Sequence, residues 1–257
     1  MRITYGGERS QLGELYLPDG THRVPVVVVV HGGFWRRRYG NELGAPLAAD
    51  LAARGVAAWN IEYRRVGNGG GWPETFLDVA AAVDALASVV QDRAGGRLDL
   101  DDVRGLGHSA GGQLAVWAAG RPLLPCGTPG ADPVVRLSRV VSQAGVLDLV
   151  GASDQQLGDG ACEALLGGPA EHQPQRYAAA SPLALLPLGV PVVCVHGDAD
   201  ANVPISQSET YTAAATASGD PARLHRLAGV DHFALIDPTT PAWVTCRDAV
   251  LSPVEPR

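Results

Sequence analysis

The sequence predicts an α/β protein with a mostly parallel central sheet and helices on both faces. Strand-like and helix-like segments alternate from end to end, which is the pattern of such folds. The run Pro25-Val26-Val27-Val28-Val29-Val30 has five consecutive β-branched valines without alternation, as expected of a strand buried on both faces of a parallel sheet. With 257 residues, 46% of them hydrophobic, the chain suits one domain over residues 1–257 better than two small ones.

In the first half of the chain, strands are indicated by short β-branched or apolar runs and helices by apolar residues spaced about 3.6 apart. The predicted strands are Gly13 to Leu17, Val24 to Val30, Val56 to Ile61 and Asp101 to Leu106. The predicted helices are Leu43 to Arg54, Thr75 to Arg93 and Gly112 to Ala119, the first ending at Gly55 and the last at Gly120.

The second half continues the alternation after one interruption. The predicted strands are Val140 to Ala144, Val190 to His196 and Arg223 to Leu227, and the predicted helices are Ser206 to Ser218 and Pro241 to Leu251. Residues 145–187 are rich in Gly, Ala, Asp and Pro. We interpret them as a small cap-like insertion, helical or loop in character, and not as a second domain.

Composition excludes several classes of function. The net charge is −7, and because phosphates are bound by clustered basic side chains, nucleic acid is not an expected partner. All 20 basic residues are Arg, so Schiff bases, Ser-Lys dyads and the P-loop are excluded. The first residues lack a signal-peptide core and no apolar run approaches membrane-spanning length. We therefore expect a soluble cytoplasmic protein without a membrane partner; a homodimer stays open.

The cysteines and histidines show no metal-binding spacing. The four cysteines contain no C-x-x-C pair, and the seven histidines form no H-E-x-x-H motif. No metal site is predicted. Cys194 falls in an apolar strand, where it is expected as a small buried hydrophobic residue. A disulfide between Cys126 and Cys162 is conceivable from their loop positions but is not expected in a reducing compartment.

Ser109 lies in Gly107-His108-Ser109-Ala110-Gly111, which matches the G-x-S-x-G pattern of a sharp turn between a strand and a helix. A Cβ two residues before or after so tight a turn would collide with neighbouring backbone, which explains the glycines. The same region also satisfies a loose dinucleotide-binding fingerprint, Gly105-x-Gly107-x-x-Ala110. That fingerprint needs an acidic residue at the end of a strand about 20 residues on, where this chain has a Pro- and Gly-rich loop, so we disfavour it.

Further candidates follow the ends of other predicted strands, where function collects in open α/β sheets. The consecutive glycines Gly32 and Gly33 leave backbone N–H groups unshielded, as stabilisation of an oxyanion requires. Asp198 and Asp200 follow the strand that ends at His196, and Asp200 is the better candidate to orient a histidine. His232 follows the last strand.

In chain order Ser109, Asp200 and His232 give the Ser, Asp, His sequence of a triad on an α/β-hydrolase sheet. The sequence resembles the esterase and formamidase branch of the α/β-hydrolases in its H-G-G-aromatic-Trp turn at 31–35, its G-H-S-A-G-G at 107–112, its H-G-x-x-D-x-x-V-P at 196–204 and its late Asp-His-Phe at 231–233. The likeness covers essentially the whole chain.

The resemblance implies a role for each matching residue. Ser109 would be the nucleophile, His232 the base and then the acid, and Asp200 the group that holds His232. The oxyanion hole would be formed by the backbone N–H groups of Gly33, Phe34 and Ala110. Phe34 departs from the pattern, because many relatives carry a third glycine there. Such families need no cofactor.

We therefore predict a serine hydrolase that cleaves a small-molecule carboxylic ester with a compact acyl group through an acyl-enzyme. The alternative is an arylformamidase acting on N-formylkynurenine-like amides, which the H-G-G-F-W form particularly resembles. A binding protein on the same fold would normally have lost a triad member, and all three are present. An aromatic pocket could come from Trp35, Tyr39, Trp72, Phe233 and Trp243. The cluster at 36–38, three arginines, could attract a carboxylate or be a solvated loop.

Overall fold

The protein, a computed structural model that describes residues 1–252, is organised on a central sheet; the last five residues of the domain predicted over 1–257 lie outside the described residues. Within residues 1–252 the sheet has eight strands in the order β1-β2-β4-β3-β5-β6-β7-β8. They are β1 Arg2–Thr4, β2 Leu12–Tyr16, β3 Val24–Val30, β4 Ala57–Ile61, β5 Leu98–His108, β6 Arg139–Gln143, β7 Val192–Gly197 and β8 Ala222–Leu227. Strands β3 to β8 are parallel, and β1 and β2 pair antiparallel at one edge.

Helices cover both faces of the sheet. They are α1 Ala45–Ala52, α2 Glu74–Asp84, α3 Val89–Arg93, α4 Ala110–Gly120, α5 Leu149–Asp154, α6 Leu157–Leu166, α7 Pro174–Ala180, α8 Ser206–Ala217 and α9 Pro241–Leu251. Two apolar clusters lie on the two faces of the sheet. The smaller cluster includes the buried residues of α1 and α9, and the larger cluster includes the buried residues of the other helices. The predicted architecture of a mostly parallel sheet between two helical layers is confirmed. No helix in residues 1–252 is long and apolar enough to cross a membrane.

Strand β3 shows how the sheet separates the two clusters. Val26, Val28 and Val30 contribute to the larger cluster, whereas Val27 and Val29 contribute to the smaller one. Successive side chains of a strand point to opposite faces, so an uninterrupted valine run fits a strand with apolar layers on both sides. The central position of β3, between β4 and β5, confirms the two-sided burial predicted from the sequence.

Several predicted bounds were wrong. The helix expected over residues 75–93 is divided into α2, a 3₁₀ turn at Ala85–Ala87, and α3, because Ser88 has non-helical backbone angles of φ −139° and ψ −111°. Apolar periodicity reports the buried face and not the continuity of backbone hydrogen bonds, so it extends across such a break. Strand β5 extends beyond its predicted start and end, and β1, only three residues long, gave no signal.

The insertion at 145–187 is helical. It contains α5, α6 and α7. Positive φ angles at Gln156, Gly158, Asp159 and Gly160 form a left-handed segment between α5 and the regular part of α6. This segment lies against the turn that follows β3, as described below.

All four cysteines are free, and the bridge between Cys126 and Cys162 that was not expected does not form. Cys162, Cys194 and Cys246 are buried, and burial raises the pKa of each of these thiols to about 12. The prediction that Cys194 is a buried apolar residue is confirmed. Cys126 is exposed.

Because β3 is buried on both faces, a hydroxyl should be unfavourable at positions that point to either face of the sheet. Val27→Thr and Val28→Thr should each lower the free energy of unfolding by about 1–3 kcal/mol, because each buries a polar group in an apolar layer. Val134, which is 72% exposed, provides the control, and Val134→Thr should stay within about 0.5 kcal/mol of the parent. Urea unfolding measures all three. A neutral effect at either β3 position would show that one face of the strand is not packed.

Candidate active site

Ser109 occupies the turn between β5 and α4, which begins at the very next residue. Its backbone angles are φ 55° and ψ −121°, a strained conformation for a residue with a side chain. A Cβ at Gly107 would lie 2.1 Å from the carbonyl oxygen of Gly111, and a Cβ at Gly111 would lie 2.1 Å from that of Val30. Both flanking positions therefore require glycine, and the predicted strand, turn and helix are confirmed.

Asp200 and His232 meet beyond the ends of β7 and β8. The Asp200 Oδ2 to His232 Nδ1 distance is 2.6 Å, and Asp200 Oδ1 accepts backbone hydrogen bonds from Asn202 and Val203 at 2.8 and 2.9 Å. The carboxylate is 1% exposed. Burial by itself would raise the pKa of Asp200, but hydrogen bonds from His196, His232 and the Val203 N–H outweigh it and hold that pKa well below its usual range. Asp200 is therefore an anion that fixes His232 with Nδ1 protonated.

The two other candidate aspartates have different partners. Asp198 Oδ1 accepts a hydrogen bond from the backbone N–H of Gly229 at 2.7 Å, which ties the loop after β7 to the loop after β8. Asp148 caps the N-terminus of α5 by accepting from Gly151 N–H at 3.0 Å. Of the three carboxylates, the structure brings Asp200 to His232.

A second histidine, His196, also contacts Asp200, and the sequence analysis did not recognise its role. Its Nε2 lies 3.0 Å from the carbonyl oxygen of Val203 and 3.3 Å from Asp200 Oδ2. Because a carbonyl can only accept, Nε2 carries the proton, and Nδ1 accepts from the Ser208 hydroxyl at 2.8 Å. Its position at the end of a buried strand was the available signal.

The turn after β3 runs through three left-handed residues in succession, Gly33 at φ 113°, Phe34 at φ 50° and Trp35 at φ 54°. A Cβ at Gly32 would lie 2.9 Å from the Cβ of Ser109, so this turn passes directly beside the serine. Among the described residues, the backbone N–H groups of Gly33 and Phe34 donate to no acceptor. The same holds for Ala110, the first residue of α4.

A buried polar cluster behind this turn fixes one of its peptide planes. His31 Nδ1 donates to the carbonyl oxygen of Gly32 at 2.8 Å, and since the Gly32–Gly33 peptide is trans, its N–H points away from that carbonyl. The opposite edge of the ring, Nε2, lies 3.2 Å from Glu62 Oε1 and 3.3 Å from Arg65 Nη1, and Tyr63 stacks on the ring at 4.4 Å.

The pKa of Glu62 is lowered because hydrogen bonds and charges from His31 and Arg65 outweigh the opposing effect of burial. Sequence reasoning missed this cluster. The signal was present, because Glu62 directly follows the buried strand β4 and Arg64 and Arg65 come two and three residues later.

Ser109 and His232 are 2% and 4% exposed, respectively. No hydrogen bond between the Ser109 hydroxyl and the His232 ring is formed within the described residues. In free enzymes such contacts are often loose and tighten with substrate. The proximity of the two residues is shown by His108, which precedes Ser109 and whose ring centroid lies 4.4 Å from that of His232.

The aromatic candidates divide between core and site. Trp35 and Trp243 are fully buried and donate to Gln113 and Asp50, so they belong to the core. Trp72 packs edge-on against Phe76. Of the five candidates, the two beside the site are Tyr39, which lies against Gly33, and Phe233, which is 56% exposed and edge-on to His232.

The arginine cluster is not uniformly a solvated loop. Arg37 and Arg38 are exposed, but the Arg36 guanidinium donates to the carbonyls of Gly158 and Asp159 in the insertion. The ring of Phe34 packs against Gly158 so closely that a Cβ at Gly158 would lie 2.6 Å from the ring. The turn after β3 and the left-handed segment of the insertion are therefore in direct contact.

Residues 14–214 match the BD-FAE family model. The chain belongs to the BD-FAE family. The match includes Ser109, Asp200 and the turn after β3, and it ends before His232. In residues 1–252 of this BD-FAE member, no group of three or more His, Cys, Asp or Glu side chains is placed to hold a metal ion.

The BD-FAE chain is also similar to named esterases. Esterase LipC of Mycobacterium tuberculosis is 28% identical over 220 residues, which are 82% of this chain and 53% of LipC. Esterase LipQ of the same organism is 29% identical over 234 residues, which are 84% of this chain and 52% of LipQ. The chain thus spans about half the length of the curated relatives that it matches.

A solved structure of a truncated carbohydrate esterase from gut microbiota has a similar fold. It superimposes with a TM-score of 0.81 at 21% identity, covering 97% of this chain and 93% of that one. The α/β-hydrolase fold implied by the sequence resemblance is confirmed for this BD-FAE member.

The packing at Gly111 generates a specific prediction. Gly111→Ala places a methyl group against the carbonyls of Val30 and His31, so it should lower the free energy of unfolding by about 1–3 kcal/mol or more and displace Ser109. Gly7→Ala, whose Cβ meets nothing within 4 Å, is the control and should change little. Thermal unfolding and labelling by a serine-reactive probe measure the two effects. Parent-like stability in Gly111→Ala would contradict the tight turn.

Proposed function

We propose that this BD-FAE member is a serine carboxylesterase that cleaves esters of small or compact acyl groups through an acyl-enzyme. The observation that carries the proposal is the 2.6 Å contact between Asp200 and His232 beside a turn that holds Ser109 in a strained, left-handed conformation. A buried carboxylate, an imidazole and a hydroxyl on a sharp turn are the components of nucleophilic acyl transfer. The similarity to esterases LipC and LipQ supports the same reaction class.

The proposed reaction has two halves. Ser109 Oγ attacks the acyl carbon while His232 Nε2 accepts its proton, and the tetrahedral intermediate then expels the alcohol, which takes that proton. A water molecule attacks the acyl-enzyme with His232 again as base, and the Ser109 hydroxyl is regenerated as the acid leaves. Asp200 stays ionised and stabilises the imidazolium that forms twice in the cycle.

The oxyanion would be bound by the backbone N–H groups of Gly33, Phe34 and Ala110. Donors that have no intramolecular partner need no rearrangement when negative charge develops, and one such donor is worth about 3–4 kcal/mol of transition-state stabilisation. The bond from His31 Nδ1 to the Gly32 carbonyl would keep the Gly33 N–H in one orientation.

The compact acyl group is supported by the insertion. Its helices α5, α6 and α7 have 6, 10 and 7 residues, and its left-handed segment is fastened to the turn after β3 through Arg36 and Phe34. A long acyl chain would have to displace these contacts.

The first test is covalent labelling. A fluorophosphonate should attach once, to Ser109, and Ser109→Ala should lose both label and turnover, because Ser109 is the proposed nucleophile on the strained turn. Ser218→Ala, an exposed serine at the end of α8, is the matched control and should behave as the parent. Peptide mapping by mass spectrometry identifies the site. A label on another serine would refute the assignment.

The second test separates the three aspartates. Asp200→Asn should reduce kcat by about 10⁴-fold with KM largely kept, since the amide leaves His232 in the wrong tautomer. Asp198→Asn and Asp148→Asn, which alter a loop contact and a helix cap, should cost far less. Steady-state kinetics on one activated ester compares them. If Asp200→Asn retains activity within tenfold while another variant falls by thousands, the acid lies at that other position.

The third test addresses the substrate. Acetyl and propionyl esters should be hydrolysed faster than long-chain esters, because the proposed pocket takes a compact acyl group. A panel of acyl esters, with N-formyl aromatic amides included, measures kcat/KM for each. Faster turnover of the formyl amides would support the arylformamidase alternative, whereas a preference for long acyl chains would contradict the compact pocket.

A further inference from the structure

His108 is the last residue of β5, directly before Ser109, and has no part in the proposed reaction. Its side chain is buried, and its Nε2 lies 3.0 Å from the backbone carbonyl oxygen of His232. Because a carbonyl can only accept, the proton of the neutral ring is on Nε2. His108 Nδ1 is a buried acceptor without a hydrogen-bond partner among residues 1–252.

The His108 and His232 rings are also in contact. Their centroids are 4.4 Å apart with an interplanar angle of 49°. His232 is therefore held at two points, at its ring by Asp200 and at its main chain by His108. The second point matters because the loop after β8 is otherwise rather exposed: Asp231 and Phe233 on either side are both open to solvent.

We propose that His108 is a positioning residue that fixes the loop of His232 relative to Ser109 by donating a hydrogen bond to the His232 carbonyl as a neutral imidazole. Since His108 is adjacent to Ser109 in the chain, one rigid side chain then couples the nucleophile's turn to the base's loop. The inference rests on the proposed function of Ser109 and His232.

The charge of His108 is constrained by its surroundings. The titratable groups that face it are His232, Asp200 and His196. Burial, and then repulsion by His232, lower the pKa of His108 to about 3, despite its hydrogen bond to the carbonyl and the attraction of Asp200. His108 is thus uncharged while His232 gains and loses its proton. A permanent cation at this position would oppose the imidazolium formed during acyl transfer.

Two substitutions distinguish the effect of the N–H donor of His108 from the effect of its ring. His108→Phe keeps a planar ring and removes the donor, so kcat should fall about 10- to 100-fold with KM within threefold, the scale expected for a small misplacement of a reacting group. His108→Gln keeps an N–H donor near the position of Nε2 and should recover to within about fivefold of the parent. His225→Phe, an exposed histidine on β8, is the matched control and should leave kcat unchanged.

Loss of stability alone would lower activity in both variants and would not be repaired by glutamine. If His108→Phe does not fold, His108→Asn, whose amide is too short to reach the carbonyl, replaces it and should be equally impaired. A folded His108→Phe with kcat within threefold of the parent would overturn the proposal, as would a folded His108→Gln that is no better than His108→Phe.

A spectroscopic measurement tests the protonation state without relying on activity. In ¹⁵N-histidine-labelled protein, His108 should show a protonated Nε2 and an unprotonated Nδ1 that persist to pH 5. The fall of kcat/KM at low pH should also fit the uptake of a single proton, both in the parent and in His108→Gln. A His108 ring that titrates together with His232 would refute the neutral anchor. Absence of esterase activity in the parent would instead refute the proposed function and leave the spectroscopic result to be judged separately.

Discussion

The backbone passes from β5 into α4 through the single residue Ser109, and the rest of the site is arranged around that turn. The turn is so tight that the start of α4 lies against the carbonyls at the end of β3, which brings the following glycine turn beside Ser109. A strained residue costs about 1–3 kcal/mol. Helix α4, buried along its whole length, supplies the packing that holds the chain in this conformation.

Three histidines hold backbone segments of the site in place through hydrogen bonds. His31, His108 and His196 each donate a ring N–H to a backbone carbonyl, which fixes the position of a proton on each ring. Each of these bonds gives a buried carbonyl oxygen a donor and holds the ring in one orientation.

The insertion also contacts the turn after β3, which lies beside Ser109. Arg36 and Phe34 both contact the segment at 156–160, so the conformation of the turn after β3 and that of the insertion depend on each other. The positive φ angles in this segment let its carbonyls face the guanidinium. Phe34, the departure from a third glycine, is one of the two residues that join them.

The sequence by itself determined the features that arise from local sterics and from apolar patterning. The glycines around Ser109, the two-sided burial of β3 and the order of strands and helices all follow from neighbouring residues. The sequence also favoured Asp200 over Asp198. Only the tertiary structure decided that His108 contacts the His232 carbonyl, that His196 contacts Asp200, and that His31 and Glu62 lie behind the glycine turn. These contacts join groups that are up to 124 residues apart, and strand order determines which of them meet. A local pattern reports the backbone and the buried face of a segment, but a hydrogen-bond partner is specified by where the sheet places two distant strand ends.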